Sequence, residues 1–454
     1  MKHQNVLIIH RNSPGQFERL MRQMVTDGHA VVSIGQSAEL RALEPMPSQI
    51  RHLQYEASPV DTNHVHPFVA NYESHMRRAT GVAKVALQLQ SEGYAPDLVL
   101  AHTGWGEALL LKDIFPNARF VGFFEYFYHA YQSDVDFDPE YSATLDDRAR
   151  ARLKNVTSWA SFEVFDAGYS PTAWQRSLYP AEMQSRLAVI HDGIDTELAT
   201  PKPTVALRLG SARLTAGNRE RPVISFVARS LERYRGIHTF VRALPEIQAA
   251  IPGAEIVIIG EEDTTYGQAR PDGKSHLKAA IEEVEDRLDF KRLHVLGSVE
   301  HRVMLAVMQA STAHVYLTYP FVLSWSMLEA MACGAEVIGS DVDSVREVIV
   351  DKKTGHLVDF HDPHAIAQKV IAVCRKPSPK IKDAGRKCVV ERYDWATRSK
   401  DALYDLLQLE SATHGRTATV SVEDAPAPAK APKRATTSGK AGGSGSARRR
   451  SKAT

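Results

Sequence analysis

Two arginines, Arg229 and Arg235, stand between an apolar run and a helical stretch, in the segment F-V-A-R-S-L-E-R-Y-R-G. The apolar residues 223–227 predict a buried strand, and residues 237–250 predict a helix. Ligands of open α/β sheets bind at the carboxyl ends of the strands, which is where these arginines fall. Planar guanidinium groups bind phosphate oxygens in pairs, so the spacing favours a site that stabilises a leaving diphosphate. The alternative is two solvated surface charges.

A second segment, Y-P-F-V-L-S-W-S-M-L-E-A-M-A-C-G at 319–334, has the pattern of a strand, a short loop and a helix. Backbone N–H groups at a helix start attract phosphate, and Leu323 and Ser324 are placed to supply them. Glu329 follows in the first turns, where a carboxylate can accept both hydroxyls of a ribose. The alternative is a capping box, in which Glu329 only accepts a hydrogen bond near Ser326.

The two segments together describe one ligand, because both follow strands of the same predicted sheet. Arginines and a helix start would bind phosphate, and a carboxylate would bind ribose. Taken together, the two segments favour a nucleoside diphosphate ligand more strongly than either segment does alone.

Three further residues of the first half are candidate ligand contacts: Gly15 for the donor, and His102 and His129 for the acceptor or a sugar. Gly15 follows the first predicted strand and permits close approach of the backbone, although a plain turn glycine is the alternative. His102 ends a strand, and either contacts the ligand or is an ordinary hydrogen-bonded histidine. His129 is a similar candidate. The nearby G-W-G at 104–106 lacks the third glycine of a dinucleotide fingerprint, which disfavours a nicotinamide-dependent oxidoreductase.

The order of elements predicts an α/β protein with two parallel sheets. Strands and helices alternate from the first apolar run at 6–9, and a second alternating series begins at Pro222. We therefore expect a first domain at 1–200, a polar connection at 201–220 and a second domain at 221–390. A last amphipathic helix at 391–410 should cross back to the first domain, and a basic low-complexity tail at 411–454 should be disordered.

The charge and composition of the chain limit the possible location and partners of the protein. The 454 residues carry a net charge of +1, which gives the body no general attraction to nucleic acid. The three cysteines, Cys333, Cys374 and Cys388, form no C-x-x-C pair, and no run reaches the ~20 apolar residues of a membrane span. We expect a cytoplasmic protein, with peripheral attachment to the membrane left open. The tail is either solvated or a weak anchor to nucleic acid or anionic lipid.

No metal or cofactor is expected. The sequence has no His, Cys and Asp cluster with ligand spacing, and the alternating Asp134, Asp136 and Asp138 are followed by a proline. The arginines would replace a metal as the counter-charge of the diphosphate.

The second half resembles retaining glycosyltransferases of family 4, which have the GT-B architecture of two Rossmann-like domains facing across a cleft. The resemblance lies in A-R-S-L-E-R-Y-R-G, L-E-A-M-A-C-G-A-E-V-I-G-S and E-V-I-V-D-K-K-T-G-H-L-V. It implies that Arg229 and Arg235 bind the donor diphosphate and that Glu329 binds the ribose. It also implies that the backbone at Val299 lies beside the nucleotide base. It also implies retention at the anomeric carbon.

The first half resembles a subgroup of the same family, in R-N-S-P-G-Q-F, H-T-G-W-G-E and I-H-D-G-I-D. Two departures stand out. The family has a glutamate that contacts the sugar eight positions before the ribose glutamate, and here that position is Phe321. The family often has a histidine after the strand at 119–123, and here Glu125 takes its place. We expect Glu125 to supply the acidic sugar contact that Phe321 cannot.

These patterns predict a glycosyltransferase that uses a nucleoside diphosphate sugar, with Glu125, Arg229 and Arg235 in the reaction. The acceptor hydroxyl would belong to a glycan or a lipid-linked glycan, as in polysaccharide assembly. The alternatives are an epimerase or a phosphorylase of the same plan, and a non-catalytic sugar-nucleotide-binding protein, which Phe321 suggests.

Overall fold

The computed structural model describes residues 2–40, 42, 45–210 and 212–411 of the chain. The predicted tail at 411–454 lies outside the described residues except for its first residue. None of the helices in these ranges is long and apolar enough to cross a membrane.

The first half of the chain forms a parallel sheet of seven strands. They are β1 (Asn5–Ile9), β2 (Ala30–Gly35), β3 (Arg51–Gln54), β4 (Leu98–His102), β5 (Arg119–Phe123), β6 (Ala167–Ser170) and β7 (Leu187–Val189). Their order is β3-β2-β1-β4-β5-β6-β7, and Val6 of β1 pairs with both Val31 and Leu98. Residues 6–9 are wholly buried, because helices cover both faces of the sheet.

Seven helices accompany this sheet. They are α1 (Glu18–Thr26), α2 (Ala70–Ser91), α3 (Leu111–Ile114), α4 (Leu145–Lys154), α5 (Val156–Val164), α6 (Ala173–Ser177) and α7 (Ala181–Gln184). Helix α1 packs Leu20 and Met24 into the core on one face of the sheet. Helix α2 packs Val82 and Leu89 into the core on the other face. The first half is therefore a three-layer α/β unit.

The predicted connection at 201–220 contains an antiparallel hairpin, β8 (Ala206–Leu209) and β9 (Ala212–Thr215). Val205 and Leu214 are buried and join the same apolar cluster as Val223 and Val257 of the second half. The hairpin is thus packed against the second half.

The second half forms a parallel sheet of six strands. They are β10 (Val223–Ser230), β11 (Glu255–Glu261), β12 (Leu293–Val295), β13 (Ser311–Tyr316), β14 (Glu336–Ser340) and β15 (His356–Val358). Their order is β12-β11-β10-β13-β14-β15, with Ile224 paired to Ile256 and to Ala313. Each sheet extends outward from its first strand and then reverses, which is the doubly wound arrangement.

Eight helices follow in the second half and at the end of the described chain. They are α8 (Ile237–Ala250), α9 (His276–Glu282), α10 (His301–Ala310), α11 (Trp325–Ala332), α12 (Asp343–Arg346), α13 (Pro363–Arg375), α14 (Pro379–Tyr393) and α15 (Lys400–Leu407). Of these, α8 and α13 pack on one face of the second sheet, whereas α10 and α11 contribute to the core on its other face.

The helix predicted at 391–410 is interrupted, because α14 ends before Asp394 and the chain is helical again from Trp395 to Leu407. Helix α14 ends at Tyr393, Asp394 has an extended backbone, and its carboxylate accepts a hydrogen bond from the Thr397 N–H at 2.8 Å. An aspartate in this role starts a new helix. Helix α15 then packs Leu403 and Leu407 into the core cluster of the first half.

The loop between β5 and α4 also joins the two halves. We call its residues 133–141 the strap. Within the strap, Asp134 accepts a hydrogen bond from the Tyr234 hydroxyl at 3.0 Å, and the Phe137 ring lies 5.1 Å from the Tyr319 ring. Both tyrosines belong to the second half. The strap therefore crosses from the first half to the ligand edge of the second.

Asp138 is the buried centre of the strap. Its carboxylate accepts a hydrogen bond from the Tyr319 hydroxyl at 2.7 Å and lies 3.2 Å from His238 Nε2. Burial alone would raise the pKa of Asp138, but the hydrogen bonds from His238 and Tyr319 and the charge of His238 lower it to about 2. The strap is thus fixed by an ionised, fully paired carboxylate.

Replacing Asp138 tests this contact between the halves. Asp138→Ala should lower the free energy of unfolding by about 2–4 kcal/mol, because Tyr319 and His238 would be left buried without a partner. Urea unfolding of the full chain measures the change. The control is Asp136→Ala in the same strap, since the Asp136 side chain bonds only the Ser133 N–H, at 3.2 Å, among the described residues. Equal losses in the two variants would contradict a specific role for Asp138.

Candidate active site

The predicted site residues gather where the strand order reverses. The reversal lies between β1 and β4 in the first sheet and between β10 and β13 in the second. Ligands of doubly wound sheets bind in the crevice at this point, outside the carboxyl ends of the strands. Gly15 follows β1, His102 ends β4, Arg229 lies near the end of β10 and Ser324 follows β13.

Arg235 is held at this edge by one of its nitrogens. The residue is 6% exposed, and its Nη1 donates to Thr318 Oγ1 and to the Val322 carbonyl, each at 3.0 Å, and to Tyr316 Oη at 3.3 Å. In the described part of the chain, Nε and Nη2 have no hydrogen-bond acceptor. The guanidinium is therefore fixed in position with its remaining donors available to an anion.

Arg229 and Gly236 complete the turn around Arg235. Arg229 is exposed in β10 and makes no hydrogen bond or ion pair with any described residue. Gly236 has φ 66°, and a Cβ atom there would lie 2.5 Å from the Cβ of Leu317. Only glycine fits, so the chain can turn into α8 directly behind Arg235.

The hydrogen bonds at the start of α11 differ from those predicted. Ser324 is the N-cap, and its own backbone N–H donates to Tyr316 Oη at 2.9 Å. The Ser324 N–H is thus engaged by the Tyr316 hydroxyl in this structure, and its predicted contact with phosphate stays a prediction. The Leu323 N–H has no acceptor among the residues described, and it stays a candidate phosphate donor.

Glu329 does not close a capping box with Ser326, so that alternative is wrong. Its Oε1 lies 2.7 Å from Nε2 of His301, which begins α10, and the residue is 4% exposed. Oε2 has no hydrogen-bond partner within the described ranges. Val299, predicted to lie at the base, is half-buried and stands two residues before His301. The structure thus brings the predicted ribose and base contacts together through His301.

Glu125 lies at the corresponding edge of the first sheet. Gln16 Nε2 donates to its Oε1 at 3.0 Å, and His102 Nε2 lies 3.4 Å from its Oε2. His102 Nδ1 accepts a hydrogen bond from the Gly104 N–H, so Nε2 carries the proton and points to the carboxylate. Glu125 and His102, predicted separately, form one pair.

The charge of Glu125 is stabilised by these neighbours. Burial would raise the pKa of Glu125, but the hydrogen bonds from His102 and Gln16 lower it overall. The side chain remains 26% exposed. An ionised carboxylate is therefore available at the crevice.

Gly15 positions Gln16 by making room for His10. It has φ 52°, and a Cβ there would lie 2.1 Å from the His10 ring. His10 Nε2 lies 2.7 Å from Gln16 Oε1, which turns the Gln16 amide toward Glu125. Burial lowers the pKa of His10 to about 3, so this ring is neutral. Gln16 was missed, although it directly follows Gly15 in the S-P-G-Q-F motif.

Phe321 occupies an aromatic environment. It is 3% exposed and packs against Tyr126, Tyr234 and Tyr266. Tyr266 comes from the loop between β11 and α9, where the Glu232 carboxylate accepts the Tyr266 N–H at 3.0 Å. The sequence analysis missed Tyr266 because its loop has no periodic pattern that would place it.

Asp192 connects the first half to the start of α11. It is 8% exposed, and its Oδ2 accepts a hydrogen bond from Trp325 Nε1 at 3.0 Å. Burial raises the pKa of Asp192 to about 7, and the charge of Glu125 adds to the rise. This carboxyl group, which lies in the I-H-D-G-I-D motif, is a second acidic group at the crevice and was not among the predicted site residues.

His129 lies on the surface, where its Nε2 is 2.8 Å from the Leu178 carbonyl oxygen. It lines an open cavity of about 450 Å³ together with Tyr131, Arg152 and Trp159. It makes no hydrogen bond to Glu125 or to His102, so its predicted role at the acceptor stays a prediction.

Three groups of the kind that bind metals meet beside the strap. Atoms of Asp138, Glu140 and His238 lie within 4.8 Å of one another. The Glu140 carboxylate is, however, bound by Arg242, with Nη2 and Oε2 at 3.0 Å. Asp138 and His238 bond each other, so the donors of this group are already engaged. The expectation of no metal stays a prediction.

Two doubly wound parallel sheets are the arrangement of the GT-B architecture. Here the second sheet carries arginines at its ligand edge, and the first sheet carries a carboxylate. Residues 27–199 match the family model described as "Glycosyl transferase family 4 group", and residues 221–376 match "Glycosyl transferases group 1". Together these matches cover most of the chain. The chain therefore consists of glycosyltransferase domains of the family 4 and group 1 type, and the predicted family and fold class are confirmed.

Solved structures show the same fold along nearly the whole described chain. Sucrose-phosphate synthase from Thermosynechococcus elongatus aligns with a TM-score of 0.68 at 17% identity, over 89% of this chain and 99% of that chain. HepE of Anabaena, solved in complex with UDP and glucose, aligns with a TM-score of 0.62 at 14% identity, over 89% and 100%. At these identities the likeness establishes the fold alone.

Curated relatives are more similar in sequence but align over shorter stretches. GDP-mannose-dependent alpha-(1-6)-phosphatidylinositol monomannoside mannosyltransferase of Mycolicibacterium smegmatis is 25% identical over 268 residues, 55% of this chain and 63% of the relative. Alpha-maltose-1-phosphate synthase of the same organism is 28% identical over 273 residues, 55% of this chain and 65% of the relative. The chain thus spans less than two thirds of the length of either.

The raised pKa of Asp192 predicts a pH-dependent stability. The folded state binds this proton more tightly than the unfolded state, so the contribution is complete below about pH 4 and is lost as the pH rises through about 7. Asp192→Asn keeps an acceptor for Trp325. It should therefore be more stable than the wild type at pH 8, by on the order of 3 kcal/mol, and equal to it at pH 4.

Urea unfolding at several pH values between 4 and 8 measures this difference. Asp286→Asn is the control, because the Asp286 side chain is 80% exposed. A stability difference between Asp192→Asn and wild type that does not change with pH would contradict the assignment.

Proposed function

We propose that this protein transfers a sugar from a nucleoside diphosphate sugar to an acceptor hydroxyl, with retention at the anomeric carbon. The observation that carries the proposal is Arg235 at the strand reversal, a guanidinium fixed by Nη1 whose other donors have no partner among the described residues. Arg229 lies on the same strand edge, unpaired within the described chain. Such an edge binds a diphosphate and stabilises it as a leaving group.

The donor is a nucleoside diphosphate sugar rather than a sugar phosphate, because Glu329 and His301 form a polar site one helix away. A carboxylate with one unbonded oxygen suits the two hydroxyls of a ribose. Names of similar proteins support the same class of donor, since one relative is GDP-mannose-dependent and HepE was solved with UDP-glucose.

The two arginines take the place of a metal ion. A guanidinium carries a permanent positive charge and presents several donors in a plane that matches phosphate oxygens. Arg229 and Arg235 therefore neutralise the charge that develops on the diphosphate when the bond to the sugar breaks. Transfer should need no divalent cation.

Retention follows when the acceptor attacks from the side that the diphosphate leaves. The bond between the anomeric carbon and the phosphate oxygen breaks, and a phosphate oxygen takes the proton of the acceptor hydroxyl. The acceptor oxygen then bonds the same face of the sugar. Glu125, hydrogen-bonded to His102 and Gln16, contacts the sugar from the first half and stabilises the positive charge on the ring.

The acceptor is proposed to be a glycan or a lipid-linked glycan. One relative is a mannosyltransferase named for a phosphatidylinositol monomannoside acceptor. Peripheral attachment to a membrane surface would follow from such an acceptor, and it is proposed together with it.

Product analysis tests the proposal. The purified chain is incubated in EDTA with UDP-, GDP- and ADP-sugars and a mixture of glycan acceptors, and the products are examined by proton NMR. We expect one nucleoside diphosphate to be released and a new glycosidic bond with the anomeric configuration of the donor. Interconversion of the donor sugar without acceptor would support an epimerase. Binding without turnover would support a non-catalytic protein.

Glu329→Gln should reduce the preference for ribose. We expect the wild type to bind the ribonucleoside diphosphate at least ten-fold more tightly than the 2′,3′-dideoxy form, because the carboxylate accepts two hydroxyl hydrogen bonds. The variant should bind the two forms within about three-fold of each other. Calorimetry gives both dissociation constants. An unchanged ratio would mean that Glu329 does not contact ribose.

Glu125→Gln should separate turnover from binding of the nucleotide. The amide keeps the size of the side chain but removes the charge, so kcat should fall by roughly 100-fold or more while the dissociation constant of the free nucleoside diphosphate stays the same. The control is Glu92→Gln, which affects an exposed ion pair with Arg51. Unchanged turnover and unchanged affinity for the donor would exclude Glu125 from the sugar site.

A further inference from the structure

Polar side chains from four neighbouring strand ends meet at the ligand edge of the first sheet. They are Arg11 after β1, Gln36 after β2, Tyr55 after β3 and Glu107 shortly after β4. Arg11 Nε donates to Gln36 Oε1 at 2.9 Å, and the Tyr55 hydroxyl donates to Glu107 Oε1. Doubly wound sheets bind ligands outside the carboxyl ends of their strands. The transfer reaction as described above uses none of these four side chains.

Helix α2 adds Arg78 to this group. His75, one turn before Arg78, packs on the glycine that precedes Glu107, where a Cβ atom would lie 2.8 Å from the His75 Cβ. Gly81, one turn after Arg78, packs on Tyr55, since a Cβ atom at Gly81 would lie 3.1 Å from the Tyr55 ring. Residues three positions apart share one face of a helix. Arg78 therefore faces the hydrogen-bonded pair of Tyr55 and Glu107.

The two arginines of this group have no counter-ion among the described residues. Arg11 bonds only through Nε, and the Arg78 guanidinium makes no hydrogen bond or ion pair within the described ranges. Both residues are half-buried. Burial lowers the pKa of Arg78, and the charge of Arg11 lowers it further. The two guanidiniums thus repel each other where water is restricted, an arrangement that a bound anion would stabilise.

Glu107 does not balance these two charges. Its Oε1 accepts the Tyr55 hydroxyl, and its Oε2 is buried without a hydrogen-bond partner in the part of the chain that is described. Burial raises the pKa of Glu107 to about 7, although the hydrogen bond from Tyr55 and three nearby basic side chains oppose the rise. Near neutral pH this carboxyl group is only partly ionised. Positive charge therefore remains in excess at this edge.

The excess of positive charge borders the proposed sugar site. Trp105 is half-buried, and its ring stacks on that of His102 with centroids 3.9 Å apart and an angle of 15°. The same ring lies 5.0 Å from that of His10, the residue before Arg11. His102 Nε2 in turn lies 3.4 Å from the carboxylate of Glu125. An acceptor whose reacting hydroxyl lies near Glu125 can extend past Trp105 to the two arginines.

We propose that Arg11 and Arg78 bind an acidic group of the acceptor, a carboxylate or a phosphate. This inference rests on the proposed function and goes beyond it by naming the chemical class of the acceptor. Guanidinium groups match the oxygens of both acids, and a hydrogen bond between charged groups is stronger than one between neutral groups. An acid held here bonds the loop after β1 and helix α2 together, whereas a neutral glycan leaves both charges unpaired.

Three sugars of similar size test the proposal on the unaltered protein. They are p-nitrophenyl β-glucoside, the matching glucuronide and the matching 6-phosphate, which differ only in carrying a hydroxyl, a carboxylate or a phosphate at the same end. We expect calorimetry to show that one acid binds at least ten-fold more tightly than the glucoside, and the tighter acid identifies the group. No gain from either acid, including a lack of binding by all three, would overturn the inference.

UDP, GDP and ADP are titrated on the same protein to separate this inference from the proposed function. A nucleotide that binds while neither acid gives a gain removes the inference and leaves the donor site standing. If none of the nucleotides binds, the proposed function itself fails.

Substitutions of the two arginines test the cause. Arg11→Gln and Arg78→Gln each remove one positive charge, so each should weaken binding of the acidic sugar by about ten-fold or more. The affinities for the glucoside and for the nucleotide should be unchanged, which also shows that the variants are folded. Lys84→Gln is the matched control, because Lys84 is an exposed cation on the same helix. A preference for the acid that survives in both arginine variants, or that falls equally in the control, would overturn the inference.

Discussion

The site depends on a buried guanidinium that is held by only one of its nitrogens. A cation that is 6% exposed is costly unless its charge is bonded. Arg235 Nη1 donates to Thr318 and Val322, but Nε and Nη2 have no hydrogen-bond partner in the described chain. This is an arrangement that an anion completes. The turn at Gly236 and the loop after β13 are both shaped around it.

The two halves are held together by contacts that also form the site. In the strap, the Asp138 carboxylate contacts His238 and accepts a hydrogen bond from the Tyr319 hydroxyl. The Asp134 carboxylate accepts a hydrogen bond from the Tyr234 hydroxyl. Asp192 bonds Trp325 at the start of α11. Each half therefore shapes the other's ligand surface. The result is an edge of the second sheet that carries two arginines and an edge of the first sheet that carries the Glu125 carboxylate.

The sequence predicts the parts of this arrangement that depend on local pattern. Apolar runs and turn glycines were sufficient to place β10, β13 and the arginines at one edge, because parallel strands bring their carboxyl ends together. The sequence did not predict contacts between residues that are far apart along the chain. The His301–Glu329 bond joins residues 28 positions apart, and a capping box explained Glu329 equally well. The break at Asp394 was missed, since the helical period continues across it, although an aspartate before a new helical turn is a capping signal.

The positions of Tyr266 and of the strap could not be predicted for a related reason. Tyr266 lies in a loop whose shape is set by the buried Glu232 carboxylate, and the strap contacts the second half about 100 residues further along the chain, as in Asp134 with Tyr234. Neither contact leaves a periodic trace. The departure from the family at Phe321 was visible in the sequence, but the three tyrosines that surround its ring were not.

Calorimetry of nucleotide binding in EDTA is the most direct test of the central claim that arginines, without a metal, hold a nucleoside diphosphate. UDP, GDP and ADP are compared on the wild type, on Arg229→Ala/Arg235→Ala and on the control Arg208→Ala/Arg213→Ala, an exposed pair across the hairpin. The account predicts that one nucleotide binds the wild type and the control alike and binds the site variant at least 100-fold more weakly. Binding that requires a divalent cation, or that is equal in all three proteins, would contradict it.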